Sequence, residues 1–314
     1  MLDRLAHILG CPQDHSPLQL RGDALVCRDN HRFEFEQGIP IFAQSPRREL
    51  IPGNMGPCEY SGDGSSVDPF VNDWIVNTNG NLYRPLRGRL PRYPIPEWPF
   101  PPGNGKTLAD IGCSWGRWSI AAVRAGYRPV GVDVHVDALA AATRVAMQLG
   151  AEADFVCGAA DRLPFQSRSL DTIFSYSVLQ HLERSVVLRF FAEVRRILKP
   201  GGVCLVQLPN RFGVLSLLQQ LRRGFREAKA GTFEMRYWSR SQISDALRSA
   251  GLTTPKIDAD GFFSQNPQPA DLDFLPAKAR WIVSLSEKGR RASSVFPILT
   301  HFADSLWIRA QVDD

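Results

Sequence analysis

Two carboxylates and the glycine-bearing run between them carry the first chemistry legible in this sequence. Asp110-Ile111-Gly112-Cys113-Ser114-Trp115-Gly116 follows the apolar Leu108-Ala109, and Asp133 stands 23 residues beyond Asp110, after Val130-Gly131-Val132. Glycines at 112 and 116 let the chain turn tightly and bring its backbone against a ligand. A carboxylate at 133 is spaced to hold a pair of ribose hydroxyls. An acid at 110, just ahead of the turn, repels a diphosphate and attracts a ligand with a positive amino group.

Two further groups invite chemical readings. Cys11, His15, Cys27 and His31 form two Cys-x-x-x-His pairs, a set able to hold tetrahedral zinc with no position left open for catalysis. A ribbon that lost its metal and persists on apolar packing has the same spacing. His181 is a candidate general base, since imidazole titrates near neutral pH. The same position also suits a histidine that caps the next helix or packs on a ligand. Tyr176 and Gln180 are candidate walls of the site.

Alternating strands and helices must bring these residues together. Leu108–Ile111, Val130–Val132, Ala153–Cys157, Leu170–Tyr176 and Val203–Leu208 are apolar enough for buried strands. Between them, helical spacing runs from Ser119 to Val123, from Asp137 to Leu149 with Asp137 as cap, and from Val187 to Leu198. Lys199-Pro200-Gly201-Gly202 ends the third helix. This order predicts a parallel sheet. Thr253 to Phe263 and Asp304 to Ala310 are expected as a final antiparallel pair.

Taken in order from 107 to 208, these segments resemble the class I S-adenosylmethionine-dependent methyltransferases. Asp110-x-Gly112-x-Ser114-x-Gly116 is similar to that family's first motif, with Ser in place of the middle Gly. Gly158-Ala159-Ala160-Asp161-Arg162-Leu163-Pro164-Phe165 resembles its Gly-Asp-Ala-x-x-Leu-Pro-Phe segment, with Ala159 where the adenine-contacting Asp belongs. The resemblance implies a Rossmann-like α/β fold, a seven-stranded mostly parallel sheet with flanking helices. It implies that Asp110 meets the cofactor's amino group and that Gly112, Cys113, Ser114 and Gly116 cradle its methionine portion. Asp133 would hold the ribose, and Val134 and Tyr176 would line the cofactor. The backbone of Ala160 would face the adenine, with Asp161 either taking the adenine amino group or capping a turn. Tyr237 and Trp238 lie in a Tyr-Trp-Ser segment like those bordering the acceptor in small-molecule methyltransferases. The first forty residues resemble the zinc-ribbon-like module that precedes some methyltransferase domains. Cys27 to Phe33 also looks like the zinc half-site of bacterial ribosomal-RNA guanine methyltransferases.

Composition sets the outer bounds. The chain has 314 residues, a formal charge of +5 and six scattered cysteines. That pattern suits a reduced, cytoplasmic protein better than a disulfide framework. The charge permits nucleic acid without requiring it. No apolar run is long enough for a membrane span, and no signal peptide is recognised. The expected organisation is a zinc-ribbon-like module over 1–48 and a Gly/Pro-rich linker or lid over 49–106. A catalytic domain follows over 107–314, with cap elements at 209–238 and 263–303. In the lid reading, Tyr83 and Arg84 close over the cofactor. The expected activity is O- or C-methylation of a small-molecule or lipid-linked acceptor. The alternative is methylation of an rRNA base, with the N-terminal module gripping RNA. Against it, Ser175-Tyr176-Ser177-Val178 stands where a base-amine enzyme carries an Asn/Asp-Pro-Pro-Tyr segment.

Overall fold

The computed structural model describes residues 2–47, 67–232, 234–263, 268, 272–273 and 275–313. α1 (Leu2–Leu5) leads into four short antiparallel strands, β1 (Gln19–Arg21), β2 (Ala24–Val26), β3 (Arg32–Glu36) and β4 (Ile39–Pro40), paired in that order. α2 (Pro69–Asn79) and a 3-10 turn (Asn81–Leu86) precede the main alternation. This runs β5 (Thr107–Ile111), α3 (Arg117–Arg124), β6 (Arg128–Asp133), α4 (Val136–Gln148), β7 (Asp154–Cys157), β8 (Leu170–Ser175), α5 (Arg184–Ile197) and β9 (Leu198–Pro209). The chain closes with α6 (Val214–Arg222), α7 (Arg240–Ser249), β10 (Lys256–Gly261), α8 (Ala277–Val295) and β11 (Ser305–Gln311).

Strands β5 to β11 form one seven-stranded sheet in the order β10-β11-β9-β8-β5-β6-β7. β5 to β9 pair in parallel, and β11 lies antiparallel between β9 and β10. The expected Rossmann-like α/β fold is therefore what the chain forms. From β5 it winds outward to β6 and β7, then crosses back to β8 on the other side. Strand order reverses at β5, so a crevice opens beyond its carboxyl end. Every residue of β5 is buried. The polar group at its start is satisfied by Asp171, which accepts from the Thr107 N–H at 2.9 Å and the Thr107 hydroxyl at 2.7 Å.

The N-terminal strands share the core of the main sheet. Leu5, Ile8, Leu9 and Phe33 pack into one cluster with Val156, Leu163 and Phe165. Backbone bonds seal the junction: Gly10 N–H donates to Pro164 at 3.0 Å, Gln166 to Ile8 at 2.8 Å, and Phe42 to Cys157 at 2.7 Å.

Some elements differ locally from the sequence reading. α4 begins after His135, so Asp137 sits in its first turn, where a carboxylate still favours the helix's positive end. Lys199-Pro200-Gly201-Gly202 lies within β9, bulged out of the ladder as pairing passes from Leu170↔Leu198 to Thr172↔Val203. The Lys199 ammonium bonds Asp171 at 2.9 Å and fixes the bulge. Between β10 and β11 the chain holds α8 and a further 3-10 turn, Pro297–Phe302. Ser239 caps α7 as expected, and a reciprocal bond from its N–H to Gln242 completes a capping box.

Buried Asp68 ties α2 to α4. Its carboxylate caps α2 by accepting from the Phe70 N–H at 2.9 Å, and it also takes Arg144 of α4 at 2.7 Å. Asp68→Ala removes the cap and strands the guanidinium, so urea denaturation should show a loss of about 2–4 kcal/mol. Asp68→Asn keeps the cap and should lose less.

Candidate active site

Past Ile111 the backbone enters the left-handed region three times, with φ at 77° for Gly112, 48° for Ser114 and 80° for Gly116. Gly112 has a second reason to lack a side chain. A Cβ there would lie 2.2 Å from Cγ2 of Val178, in the loop after β8. The turn is also tied to the next strand. Gly112 and Cys113 donate their N–H groups to the Val132 carbonyl at 2.7 and 3.1 Å, and the Ser114 N–H donates to Asp133 at 2.9 Å. These three N–H groups are thus spent inside the protein. The turn has carbonyl oxygens, not these donors, to offer a ligand, which suits a cation and not a phosphate.

Asp110 lies beneath the turn, 2% exposed, and accepts from the Ser119 hydroxyl of α3 at 2.7 Å. Burial pushes its carboxyl up to about 7; the Ser119 bond opposes the rise and the nearby Asp133 charge adds to it. Asp133 ends β6 and accepts from the backbone of Ser114 and of His135, the latter at 3.0 Å. Val134, Ala160 and Asp161 follow β6 and β7 on the same edge of the sheet. Asp161 is paired with Arg189 of α5 at 2.8 Å, so its carboxylate is engaged away from the turn.

Across β5, Tyr176 ends the β8 side of the site. It is 9% exposed, stacks on Trp118 at 4.7 Å between ring centroids, and donates its hydroxyl to Asp260 of β10 at 3.2 Å. Gln268 donates to the same hydroxyl at 2.9 Å. Asp260 also accepts from Ser305 at 2.6 Å. Burial raises its carboxyl to about 6, with the Ser305 and Tyr176 bonds opposing. A cavity of about 610 Å³ opens beside this group, lined by Trp98, Phe100, Trp307, Asp260, Gln268 and Arg290. Its size is that of a small-molecule site.

Gln180 and His181 lie on a 3-10 turn after β8, and their backbone carbonyls accept from Arg236 at 2.8 and 3.0 Å. The Gln180 side chain is buried and donates to Ser177 at 2.7 Å, while its Oε1 has no partner among the described residues. Tyr237 and Trp238 are buried. The Tyr237 hydroxyl bonds Gln219 of α6, and the Arg184 guanidinium lies 4.6 Å from the Trp238 ring. Tyr83 of the expected lid is buried in a cluster with Trp115, and Arg84 is exposed. Residues 48–66 of the expected linker lie outside the described residues.

Two site residues escaped the sequence reading. Asp260 is 84 residues from Tyr176, and nothing local announces their contact. Arg117, one position past Gly116, is 5% exposed, yet its Nε and Nη2 have no hydrogen-bond acceptor among the described residues. Arg236 is equally buried but donates to the carbonyls of His181, Glu234 and Lys229. A cation flanked by glycine and tryptophan at a helix start was the available signal.

Near the N-terminus the metal-ligating atoms converge, with one change of membership. Ligand atoms of Cys11, Asp14, Cys27 and His31 all lie within 4.8 Å of one another. Cys27 Sγ is 3.1 Å from Asp14 Oδ2 and 3.2 Å from His31 Nδ1, and Cys11 Sγ is 3.5 Å from that nitrogen. Donors on a tetrahedral zinc are separated by about 3.2–3.8 Å, so the set fits the ion. His15 does not join it. Its φ of 60° turns the chain after Asp14, and its imidazole feels burial first, then the charges of Arg196 and Glu193 on α5.

Comparison with known proteins agrees with this geometry. Residues 108–202 match the family model described as a methyltransferase domain. The chain is 30% identical over 145 residues to a bifunctional biotin biosynthesis protein of Cellvibrio japonicus, covering 46% of this chain and 27% of that one. It is 29% identical over 170 residues to a malonyl-[acyl-carrier protein] O-methyltransferase of Methylovorus, covering 50% and 53%. A ubiquinone biosynthesis O-methyltransferase of Maricaulis maris is 27% identical over 157 residues, covering 48% and 61%. The chain thus spans about a quarter to three-fifths of the length of these relatives. A solved S-adenosylmethionine-dependent methyltransferase from Methanosarcina mazei superposes with a TM-score of 0.48 at 16% identity, covering 67% and 93%.

The raised Asp110 carboxyl has a consequence for stability. Between about pH 4 and pH 7 the folded protein keeps a proton on Asp110 that the unfolded chain has released. Stability of the empty protein should therefore fall as pH rises through that window, by up to about 4 kcal/mol from this group. Urea midpoints measured from pH 5 to 8 should show the fall, and Asp110→Asn should flatten it.

Proposed function

We propose, for a chain whose residues 108–202 form a class I methyltransferase domain, that it moves a methyl group from S-adenosylmethionine to an oxygen or carbon of a small-molecule or lipid-linked acceptor. One observation carries this reading. The glycine turn spends its own N–H groups on Val132 and Asp133 and keeps a buried acid behind it. Such a turn repels phosphate and receives an ammonium group. The names of the relatives, which include O-methyltransferases acting in ubiquinone biosynthesis and on a carrier-bound malonyl group, support an oxygen acceptor.

When bound, S-adenosylmethionine supplies an electrophilic methyl group on a sulfonium sulfur. Asp110 would balance the ammonium end, and the carbonyls of the turn would orient it. Asp133 would hold the ribose diol, with Val134 and the Ala160 N–H serving the adenine. Among the described residues, Arg117 is a buried cation near the turn with donors to spare, and it suits the carboxylate end. Tyr176 and Gln180 wall the acceptor side. An acceptor hydroxyl must lose its proton as its oxygen bonds the methyl carbon and the carbon–sulfur bond breaks. His181 is our candidate for the base that takes that proton, and Asp260, whose carboxyl is raised by burial, is a second. Exclusion of water by the buried aromatic wall of Trp118, Tyr176 and Trp307 protects the methyl group from hydrolysis.

The test is label transfer. Methyl-tritiated S-adenosylmethionine and purified protein are added to a lysate lacking the enzyme, which is then split into RNA, protein and organic fractions. Label should enter the organic fraction and fall at least tenfold with Gly112→Ala, whose Cβ has no room. Label in RNA would overturn the small-molecule reading.

In the N-terminal module, Cys11, Asp14, Cys27 and His31 would hold a structural zinc, closed to solvent chemistry by four protein ligands. Purified protein should carry about one zinc per chain by elemental analysis. Cys27→Ser should lose it, and His15→Ala should keep it.

A further inference from the structure

Large apolar side chains are most exposed in two segments. Among the described residues, ten of the fifteen that are well exposed fall between 212 and 225 or between 295 and 302. Phe212, Leu218, Leu221 and Phe225 represent the first group, and Phe296 and Ile298 the second. Leu221 is 61% and Ile298 65% exposed. The segments are joined at their roots. Asn210 donates to the carbonyls of His301 and Ala303 at 2.8 and 2.9 Å, and the Ser216 N–H donates to Asp304 at 2.9 Å.

Their place in the fold is specific. β9 ends at Pro209 directly opposite Ser305, where β11 begins. That is the carboxyl edge of the parallel strands, the same edge from which the Gly112 turn emerges. The only buried residue of α6 is Ser216. The helix meets the body through Ser216 and through the bond between Gln219 and Tyr237, and it holds Leu217, Leu218 and Leu221 outward. A folded protein partner would need matching pockets for such side chains, whereas the acyl boundary of a bilayer accepts them without any.

Charge points the same way. From 210 to 234 the chain carries Arg211, Arg222, Arg223, Arg226 and Lys229 against Glu227 and Glu234, the second of which pairs with Arg226 at 2.7 Å. From 287 to 304 it carries Lys288, Arg290 and Arg291 against Glu287, which pairs with Arg290 at 2.8 Å, and the buried Asp304. Basic residues beside exposed leucine and phenylalanine match an anionic lipid surface. No described helix is long and apolar enough to cross a membrane, so the contact is superficial.

We propose that this rim, α6 with Phe225 and the 295–302 turn, docks the protein on an anionic bilayer with its catalytic edge facing the lipid. The inference rests on the methyltransferase reading for its purpose, since it lets a lipid-linked acceptor reach the site without leaving the membrane. The docking itself is tested without turnover. Full-length protein is sedimented with vesicles of phosphatidylcholine alone or of equal parts phosphatidylcholine and phosphatidylglycerol. Binding should be confined to the anionic vesicles, weaken at about 0.5 M salt, and fall at least tenfold in Leu218→Glu/Leu221→Glu. Met147→Glu, exposed elsewhere on the protein, should bind as the parent does. Binding of S-adenosylhomocysteine should be equal in all variants and shows that they are folded; its absence from the parent would sink the methyltransferase reading alone. Failure of the parent to bind anionic vesicles, or equal loss in Met147→Glu, would overturn the docking surface.

Discussion

The close approach of Gly112 to Val178 is the constraint on which the site depends. With a Cβ excluded by 2.2 Å, the turn after β5 can press against the loop after β8 while its N–H groups reach back to β6. Three strands of the sheet are thereby locked at one point, the place where strand order reverses. Tyr176, Gln180 and His181 follow from the β8 loop, and Asp133 from β6. Their positions relative to one another are set by this contact more than by any bond among themselves.

Around that point the protein buries charge and leaves part of it unmatched. Asp110 and Asp260 sit in surroundings that raise their carboxyls to about 7 and about 6, and Arg117 keeps donors without acceptors. A core built only for stability would pair or remove such groups, as it does with Arg236 and with Asp68–Arg144. A buried acid held by the Ser119 hydroxyl and a buried guanidinium with donors to spare support the proposal that the glycine turn takes a ligand of both signs.

The N-terminal strands illustrate a different economy. They are too short to enclose a core, so they borrow Val156, Leu163 and Phe165 from the main sheet. Of the four residues whose ligand atoms converge, Cys11 and Cys27 belong to that same shared cluster. α6 and the turn before β11 are held by backbone and Asn210 bonds and by the packing of Leu299 on the core, which leaves Leu217, Leu218, Leu221, Phe296 and Phe302 outside.

What the sequence alone determined was local. The glycine turn, the acid before it, the acid 23 residues on and the alternation of strands and helices are fixed by backbone sterics and burial, which act over a few residues and leave a readable spacing. The cap at Ser239 belongs to the same class. Only the tertiary structure decided which side chains meet. The spacing of Cys11, His15, Cys27 and His31 allowed one ligand set, but the left-handed turn at His15 carries its imidazole toward α5 and brings Asp14 in. Tyr176 reaches Asp260 only because β11 threads antiparallel between β9 and β10, so that the residue leaving β8 meets β10 across the ends of β9 and β11. Burial of Tyr83 and Arg117 likewise depends on elements distant in sequence. Side-chain direction and long-range packing set these meetings, and neither leaves a periodic trace in the order of residues.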